Sequence, residues 1–82
     1  MYSLAWKEEA IKNLEKLDRS ISKRIFKTIE SMALDPFSKD IKKLKGSIDF
    51  RLRVGDYRVI FSIIENTITI LKIGHRQNIY QR

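Results

Sequence analysis

The spacing of apolar residues changes once along this chain, and the change fixes the order of its helices and strands. Before Pro36, isoleucines recur at helical spacing, as at Ile21, Ile25 and Ile29, which is typical of a helix with one buried face. After Gly46, apolar and polar residues alternate, as they do in a strand with one buried face. The pattern therefore predicts an α+β fold with helices first and strands last.

Two helices are predicted before Pro36, over residues 6–17 and from Arg19 to about Leu34. Asp18 is a favourable N-cap for the second helix. Proline disfavours helical geometry at the residue before it, so this helix should end near Asp35. The link between the helices is so short that we expect an antiparallel helix hairpin with facing apolar stripes.

Three strands are predicted after Gly46: residues 48–54, 57–64 and 67–73, joined by tight turns. In the last of them, alternation puts Ile68, Ile70 and Lys72 on one side. Residues 2–5 are either an edge strand or the frayed start of the first helix, and residues 38–43 allow one helical turn. The predicted order is β-α-α-β-β-β. We expect an antiparallel twisted sheet with the helix hairpin packed on one face, forming a single domain over residues 1–82.

Composition excludes several kinds of functional site. The 82 residues include no cysteine, one histidine and three widely spaced glycines, which argues against a disulfide framework, a zinc centre and a phosphate-binding P-loop. The early charges at Lys7, Glu8 and Glu9 interrupt any signal-peptide pattern, and residues 59–64 are too few to cross a bilayer. We expect a soluble, cytoplasmic protein without metal or cofactor.

The positive charge is concentrated in the second half of the chain. The formal net charge is +7; residues 1–38 hold seven basic and six acidic side chains, whereas residues 39–82 hold ten basic and four acidic ones. This asymmetry suggests a polyanionic partner that meets one face. A basic surface without a specific ligand is the alternative.

Three arginines form a candidate anion site. Arg51 and Arg53 are two residues apart and leave the same face of one strand, and the following turn brings Arg58 onto its neighbour. Either Asp49 and Asp56 balance these cations locally, or the site holds an external phosphate, which arginine binds bidentately.

The end of the chain and the loop before the strands supply further candidates. Arg76 and Tyr80 follow the last strand, and we expect them to lie near Arg58. There Tyr80 either stacks on a base, transfers a proton or packs back on the sheet. His75 is a weaker candidate. It is adjacent to Arg76, and neighbouring residues in a strand point to opposite faces, so the two should not both face the site. Lys43 and Lys45 give the connecting loop a basic rim.

Three motifs together carry a resemblance to the RelE/ParE toxin superfamily, and specifically to a small RelE-type toxin. They are KLKGS (43–47), FRLRVGDYRVIF (50–61) and IGHRQNIY (73–80), which follow the predicted helix hairpin. The resemblance covers nearly the whole chain in the expected order, and it implies the fold described above.

The resemblance also implies a function: the toxin of a type II toxin–antitoxin system, held in a hetero-oligomer by an acidic, RelB-like antitoxin. RelE-type toxins cleave messenger RNA in the ribosomal A site by attack of the ribose 2′-OH, without a metal. Arg58 and Arg76 match transition-state arginines, Arg51 a basic strand position and Tyr80 the terminal tyrosine. Lys43, Lys45, Arg53 and His75 are expected to bind RNA.

Two departures from the family pattern keep other functions open. Arg51 stands where relatives often have lysine, and arginine is a poor general base because it is essentially never deprotonated. The other strand position that is basic in some relatives is Asp49. The general base is therefore Tyr80, Lys45 or His75. The alternatives are a catalytically weak module that binds RNA or ribosomes, and a ParE-like DNA gyrase poison.

Overall fold

In the computed structural model, which describes residues 2–36, 41–44, 46 and 48–75, two helices pack on one face of a five-stranded sheet. The helices are α1 (Glu8–Glu15) and α2 (Arg19–Leu34). The strands are β1 (Ser3–Trp6), β2 (Ile41–Lys43), β3 (Phe50–Val54), β4 (Tyr57–Ile64) and β5 (Thr67–His75). Neither helix is long and apolar enough to span a membrane, within the part of the chain just given.

The predicted α+β class is confirmed, but the sheet is mixed, so the expectation of a wholly antiparallel sheet was wrong at one edge. The strand order is β1-β5-β4-β3-β2, in which β1 runs parallel to β5 and the other neighbours are antiparallel. Six connections separate β1 from β5. If each connection reverses the direction of the chain, six reversals leave β5 running in the same direction as β1.

The N-terminal residues form a strand rather than the start of a helix. The N–H of Ser3 donates to the carbonyl of Asn66, and that of Lys7 to the carbonyl of Ile70, both at 2.9 Å. Because this ladder extends to Lys7, α1 begins at Glu8 and is shorter than predicted.

The expectation of a helical turn in residues 38–43 was wrong for residues 41–43; residues 38–40 lie outside the described residues. Residues 41–43 form β2, in which Ile41 pairs with Leu52 and Lys43 with Phe50. The strand is so short that its alternation does not stand out in the sequence. Pairing nevertheless satisfies backbone groups along the outer edge of β3.

The predicted bounds of the second helix are confirmed. Asp18 occupies the N-cap position, but its side chain makes no capping hydrogen bond; its carbonyl accepts from the N–H of Ser22 at 2.9 Å. Asp35 is extended, with φ −154°, as expected for the residue before Pro36.

The core lies between the helices and the inner face of the sheet. On the helix side, Ile25, Ile29 and Met32 of α2 and Ala10 of α1 have no exposed surface. The sheet contributes alternate residues, as the predicted period requires: Leu52, Val59, Phe61, Ile68 and Ile70, which are also fully buried.

A β-bulge in β5 changes which residues face the core. Ile60 pairs with Lys72 but the next residue, Phe61, pairs with Ile70, so Leu71 is the extra residue. Strict alternation had placed Lys72 on the side of Ile68 and Ile70. The bulge instead moves Lys72 to the opposite face, beside Ile60, and turns Ile73 inward. An unpaired lysine in an apolar core would be costly, which gives the bulge its physical reason.

Asn13 connects α1 to the part of β5 that extends beyond β1. The pairing with β1 ends at Ile70, so the edge of β5 has no strand neighbour on that side at Ile73. The Oδ1 atom of Asn13 accepts a hydrogen bond from the N–H of Ile73 at 2.9 Å. A side chain thereby replaces the missing strand at this backbone donor.

We expect Asn13→Ala to lower the free energy of unfolding by about 1–2 kcal/mol, because the Ile73 N–H loses its acceptor. The matched control is Asn13→Asp, which keeps an oxygen in the same position and should lose clearly less. Urea denaturation followed by circular dichroism measures both. Equal losses in the two variants would show that the hydrogen bond is not the stabilising element.

Candidate functional site

The sheet face turned away from the helices carries most of the cations in the strands. The register aligns Lys42 with Arg51, Arg53 with Arg58, and Ile60 with Lys72, and residues directly opposite one another share a face. We call this surface the basic face and define it by Lys42, Arg51, Arg53, Arg58 and Lys72. Arg51 and Arg53 each have an interaction partner within the chain.

Arg58 is the most enclosed member of the basic face. Its side chain is 8% exposed, and its Nη1 donates to the carbonyl of Gly55 at 3.2 Å and to that of Tyr57 at 3.1 Å. The Nε atom is buried and has no hydrogen-bond partner among the residues that the structure describes. A buried unpaired donor costs about 1–3 kcal/mol, and an anionic oxygen that reached Nε would remove this cost.

A second guanidinium lies on the other side of the same turn. A Cβ atom at Gly55 would lie 3.4 Å from Nη1 of Arg24, so the α2 side chain rests against this glycine. Arg24 borders a cleft of about 280 Å³ whose lining residues are Ile21, Arg24, Ile25, Val54, Gly55, Asp56 and Tyr57. Gly55 is thus flanked by Arg24 on one side and bonded to Arg58 through its carbonyl.

Sequence reasoning missed Arg24, since it belongs to a helix and the arginine motifs drew attention to the strands. A signal was available in the helical spacing. Arg24 follows Ile21 by three positions, which places the two on neighbouring parts of the helix surface. A basic residue at the margin of the buried stripe is well placed to reach the sheet.

His75 and Lys43 lie apart from the arginines of the basic face. His75 pairs with Tyr57 and their rings meet edge to face, with centroids 5.5 Å apart. Lys43 pairs with Phe50, which stacks on the core residue Phe61. Both are therefore on the helix side of the sheet, and the predicted RNA-binding role of each stays a prediction.

Three predicted site residues, Lys45, Arg76 and Tyr80, lie outside the described residues, so their roles also stay predictions. The chain before Arg76 does approach the site, because Gly74 is paired with Arg58. Arg51, Arg53 and Arg58 are the predicted residues that the structure brings together.

The chemistry of the basic face is that of guanidinium and ammonium groups. Histidine and carboxylate side chains form no group of three suited to a metal ion anywhere in residues 2–36, 41–44, 46 and 48–75. Guanidinium groups bind phosphate oxygens and stabilise negative charge that develops on them. The arrangement can therefore hold and polarise a phosphodiester.

Comparison with known proteins places the chain in a family. The family model described as "ParE toxin of type II toxin-antitoxin system, parDE" matches residues 4–80. Toxin RelE3 of Methanocaldococcus jannaschii is 37% identical over 75 residues, which cover 85% of each chain. The chain belongs to the RelE/ParE toxin superfamily. The resemblance read from the three motifs is thereby confirmed.

Solved structures of RelE-type proteins share the fold. The RelB–RelE antitoxin–toxin complex of Methanococcus jannaschii contains a chain that is 31% identical, with a TM-score of 0.78 and coverage of 93% of this chain and 94% of that one. The archaeal RelE–RelB complex of Pyrococcus horikoshii OT3 gives 28% identity, a TM-score of 0.79 and coverage of 94% and 97%. The superfamily fold thus accounts for nearly the whole length of this RelE-type chain.

The Gly55 turn that holds Arg58 should tolerate few substitutions. Gly55 has φ +59°, a conformation that alanine adopts only with strain, so we expect Gly55→Ala to destabilise the protein by about 1–2 kcal/mol. Gly55→Asn is the matched control, since asparagine adopts positive φ more readily than alanine. Thermal denaturation measures both; if asparagine costs as much as alanine, the backbone conformation is not the cause.

Proposed function

We propose that this chain is the toxin of a type II toxin–antitoxin system and cleaves messenger RNA bound to the ribosome, in the cytoplasm. The observation that carries the proposal is Arg58, which lies on the basic face and whose buried Nε atom has no partner within the described part of the chain. A phosphate oxygen supplies the acceptor that this atom lacks. Membership of the RelE/ParE superfamily supports the toxin function.

The reaction consists of an attack by one group of the RNA on another. The ribose 2′-OH attacks the adjacent phosphorus, the bond from phosphorus to the 5′ oxygen breaks, and a 2′,3′-cyclic phosphate and a free 5′-OH result. One proton leaves the 2′-OH and one reaches the departing 5′ oxygen. The protein contributes positioning, charge stabilisation and these two proton transfers.

Each of the four predicted catalytic residues receives a role in this scheme. Arg58 and Arg76 stabilise the charge on the phosphorane-like transition state. Arg51 holds the substrate, since arginine cannot serve as the base. Tyr80 is the proposed base and Lys45 the alternative, because His75 lies on the helix side of the sheet.

The proposed partners are the ribosome, the message and an acidic antitoxin of the RelB type. Relatives that are 31% and 28% identical have been solved as complexes with RelB. Carboxylates of an antitoxin laid over the basic face would pair with the arginines and block them, which explains inhibition by charge alone.

A ParE-like gyrase poison is the second candidate, because the family model that matches residues 4–80 is described as a ParE toxin. Cleavage complexes formed by purified DNA gyrase in the presence of this chain would favour it. Primer extension on ribosome-bound message tests the first candidate, and the two assays give opposite results for the two functions.

Arg58→Ala and Arg76→Ala should each reduce the rate of message cleavage by about 100-fold or more, because each removes one transition-state contact. Lys27→Ala is the matched control: it removes one positive charge from the exposed surface of α2 and should cleave normally. Primer extension under single-turnover conditions gives the rates, and circular dichroism checks that each variant is folded. Unchanged cleavage in the double variant would contradict the assigned roles. RNA binding without cut ends for the wild type would favour the non-catalytic alternative.

Antitoxin binding should weaken as salt is raised. Between about 0.1 M and 1 M salt the Debye length falls from about 10 Å to about 3 Å, so contacts between carboxylates and the basic face are screened. Isothermal titration calorimetry at several salt concentrations measures the affinity. A dissociation constant that does not change with salt would show that apolar contacts carry the complex.

A further inference from the structure

The cleft at the β3–β4 turn is lined by two opposite charges that do not pair with each other. We call this cleft of about 280 Å³ the turn cleft; Arg24 lines it from α2 and Asp56 lines it from the turn. Both residues are exposed. Within the described part of the chain, neither side chain forms an ion pair or a hydrogen bond. A donor group and an acceptor group are therefore both available to one small ligand.

The guanidinium of Arg24 is held so that its N–H groups stay accessible. A Cβ atom at Gly55 would lie 3.4 Å from Nη1 and 3.7 Å from both Cζ and Nη2. Because Cζ is no farther away than Nη2, the glycine faces the flat side of the guanidinium and not its edge. The N–H groups lie in the plane of the guanidinium, so they remain free to donate to a pair of acceptor atoms.

The other walls of the turn cleft are suited to a flat, unsaturated ligand. Ile21, Val54 and Tyr57 line it beside the two charges. Ligand pockets commonly combine apolar and aromatic walls with a few polar groups that fix orientation. Pockets for drug-sized ligands measure about 300–1,000 Å³, so this smaller volume indicates a ligand with a single ring system.

Guanine is the nucleobase whose edges match the two charges. Its N1–H and 2-amino groups are adjacent donors, which suit the two oxygens of the Asp56 carboxylate. Its O6 and N7 atoms are adjacent acceptors, which arginine binds bidentately. Adenine and cytosine have an acceptor beside their amino group and uracil has one N–H, so none of the three offers two adjacent donors to a carboxylate.

The turn cleft and Arg58 lie on two sides of the same residue. The carbonyl of Gly55 accepts from Nη1 of Arg58 at 3.2 Å, while the guanidinium of Arg24 rests against the position of its missing side chain. Bases of single-stranded RNA turn readily out of the stack and bond through their edges. An RNA strand that crosses this turn can thus place a phosphate at Arg58 and a base in the cleft.

We propose that the turn cleft binds a guanine base of the RNA whose phosphate lies on Arg58. In this arrangement Asp56 accepts from the N1–H and 2-amino groups, and Arg24 donates to O6 and N7. The inference rests on the proposed nuclease function and adds a base preference to it: the message is cut next to a guanine.

Single-atom changes in the RNA test the two contacts separately. The probes are short single-stranded RNA oligomers with one guanine, 2′-O-methylated so that they are not cut, titrated against the full chain by fluorescence anisotropy. We expect adenine in place of guanine to raise the dissociation constant by about tenfold or more. Inosine lacks the 2-amino group and 7-deazaguanine lacks N7, so each should raise it by about fivefold. Equal affinity for guanine and adenine overturns the proposal.

Variants of the chain connect each lost atom to its partner. Asp56→Asn should bind the guanine and inosine oligomers equally, and its matched control, Glu30→Gln, removes a carboxylate from the exposed surface of α2 and should keep the preference. Arg24→Met should bind the guanine and 7-deazaguanine oligomers equally. Its control is Lys27→Met, which removes a cation from α2 outside the cleft and should weaken all oligomers alike. If the controls change the preferences as much as the cleft variants do, the assignment of these residues is wrong.

Free GMP, titrated as a competitor, distinguishes a base within RNA from a free nucleotide. The proposal expects GMP to bind clearly more weakly than the guanine oligomer, because it lacks the neighbouring phosphate for Arg58. GMP that binds as tightly as the oligomer assigns the cleft to a free guanine nucleotide and overturns the RNA assignment.

The outcomes separate this inference from the function on which it rests, because the binding probes require no cleavage. If the wild type cuts ribosome-bound message next to guanine and Asp56→Asn loses that preference, both proposals are supported. If the wild type does not cut but the preferences in binding hold, the cleft assignment stands and the nuclease proposal fails. Cleavage without any base preference, together with equal binding of all oligomers, leaves the nuclease proposal standing and overturns the cleft assignment.

Discussion

The pairing of β4 with both of its neighbours is the interaction on which the rest of the structure depends. This central strand pairs with β5 over its whole length and with β3 from Tyr57 to Phe61, so its alternating side chains have fixed and opposite directions. Val59 and Phe61 complete the core under the helices, while Arg58 is sent to the basic face. Because burial on one side fixes the register, it also fixes the direction of the arginine on the other. Fold and site are therefore set by the same hydrogen bonds.

How far the fold could be predicted depended on the length of each element. The stripe of Ile21, Ile25 and Ile29 identified α2 as a helix. Asp18 and Pro36, at its two ends, marked its bounds correctly. By contrast β2 has three residues and no periodicity to read. The bulge at Leu71 was also missed, since a strict period of two cannot anticipate an inserted residue, and Lys72 was placed on the wrong face in consequence.

The site was predictable where one strand or one turn connects its members. Arg51, Arg53 and Arg58 are joined through a two-residue turn, so alternation and register place them together. Arg24 reaches the Gly55 turn only through the packing of α2 on the sheet, which no local pattern encodes. His75 is next to Arg76 in the sequence, but it pairs with Tyr57, and this pairing places it on the helix side of the sheet. The net positive charge suggests a polyanionic partner. Only the pairing register of the strands shows which of the charged side chains share one face of the sheet.

The parallel pairing of β1 with β5 has a consequence for synthesis of the protein. β1 has no partner in the described sheet until β5 has been made, and Ile68, Ile70 and Ile73 of β5 are part of the core. Contacts between distant parts of a chain form late, because the intervening loop must close first. A chain released from the ribosome before β5 was made would lack the strand partner of β1 and the isoleucines that β5 adds to the core. The sheet therefore cannot be completed before β5 has been made, however early β1 emerges.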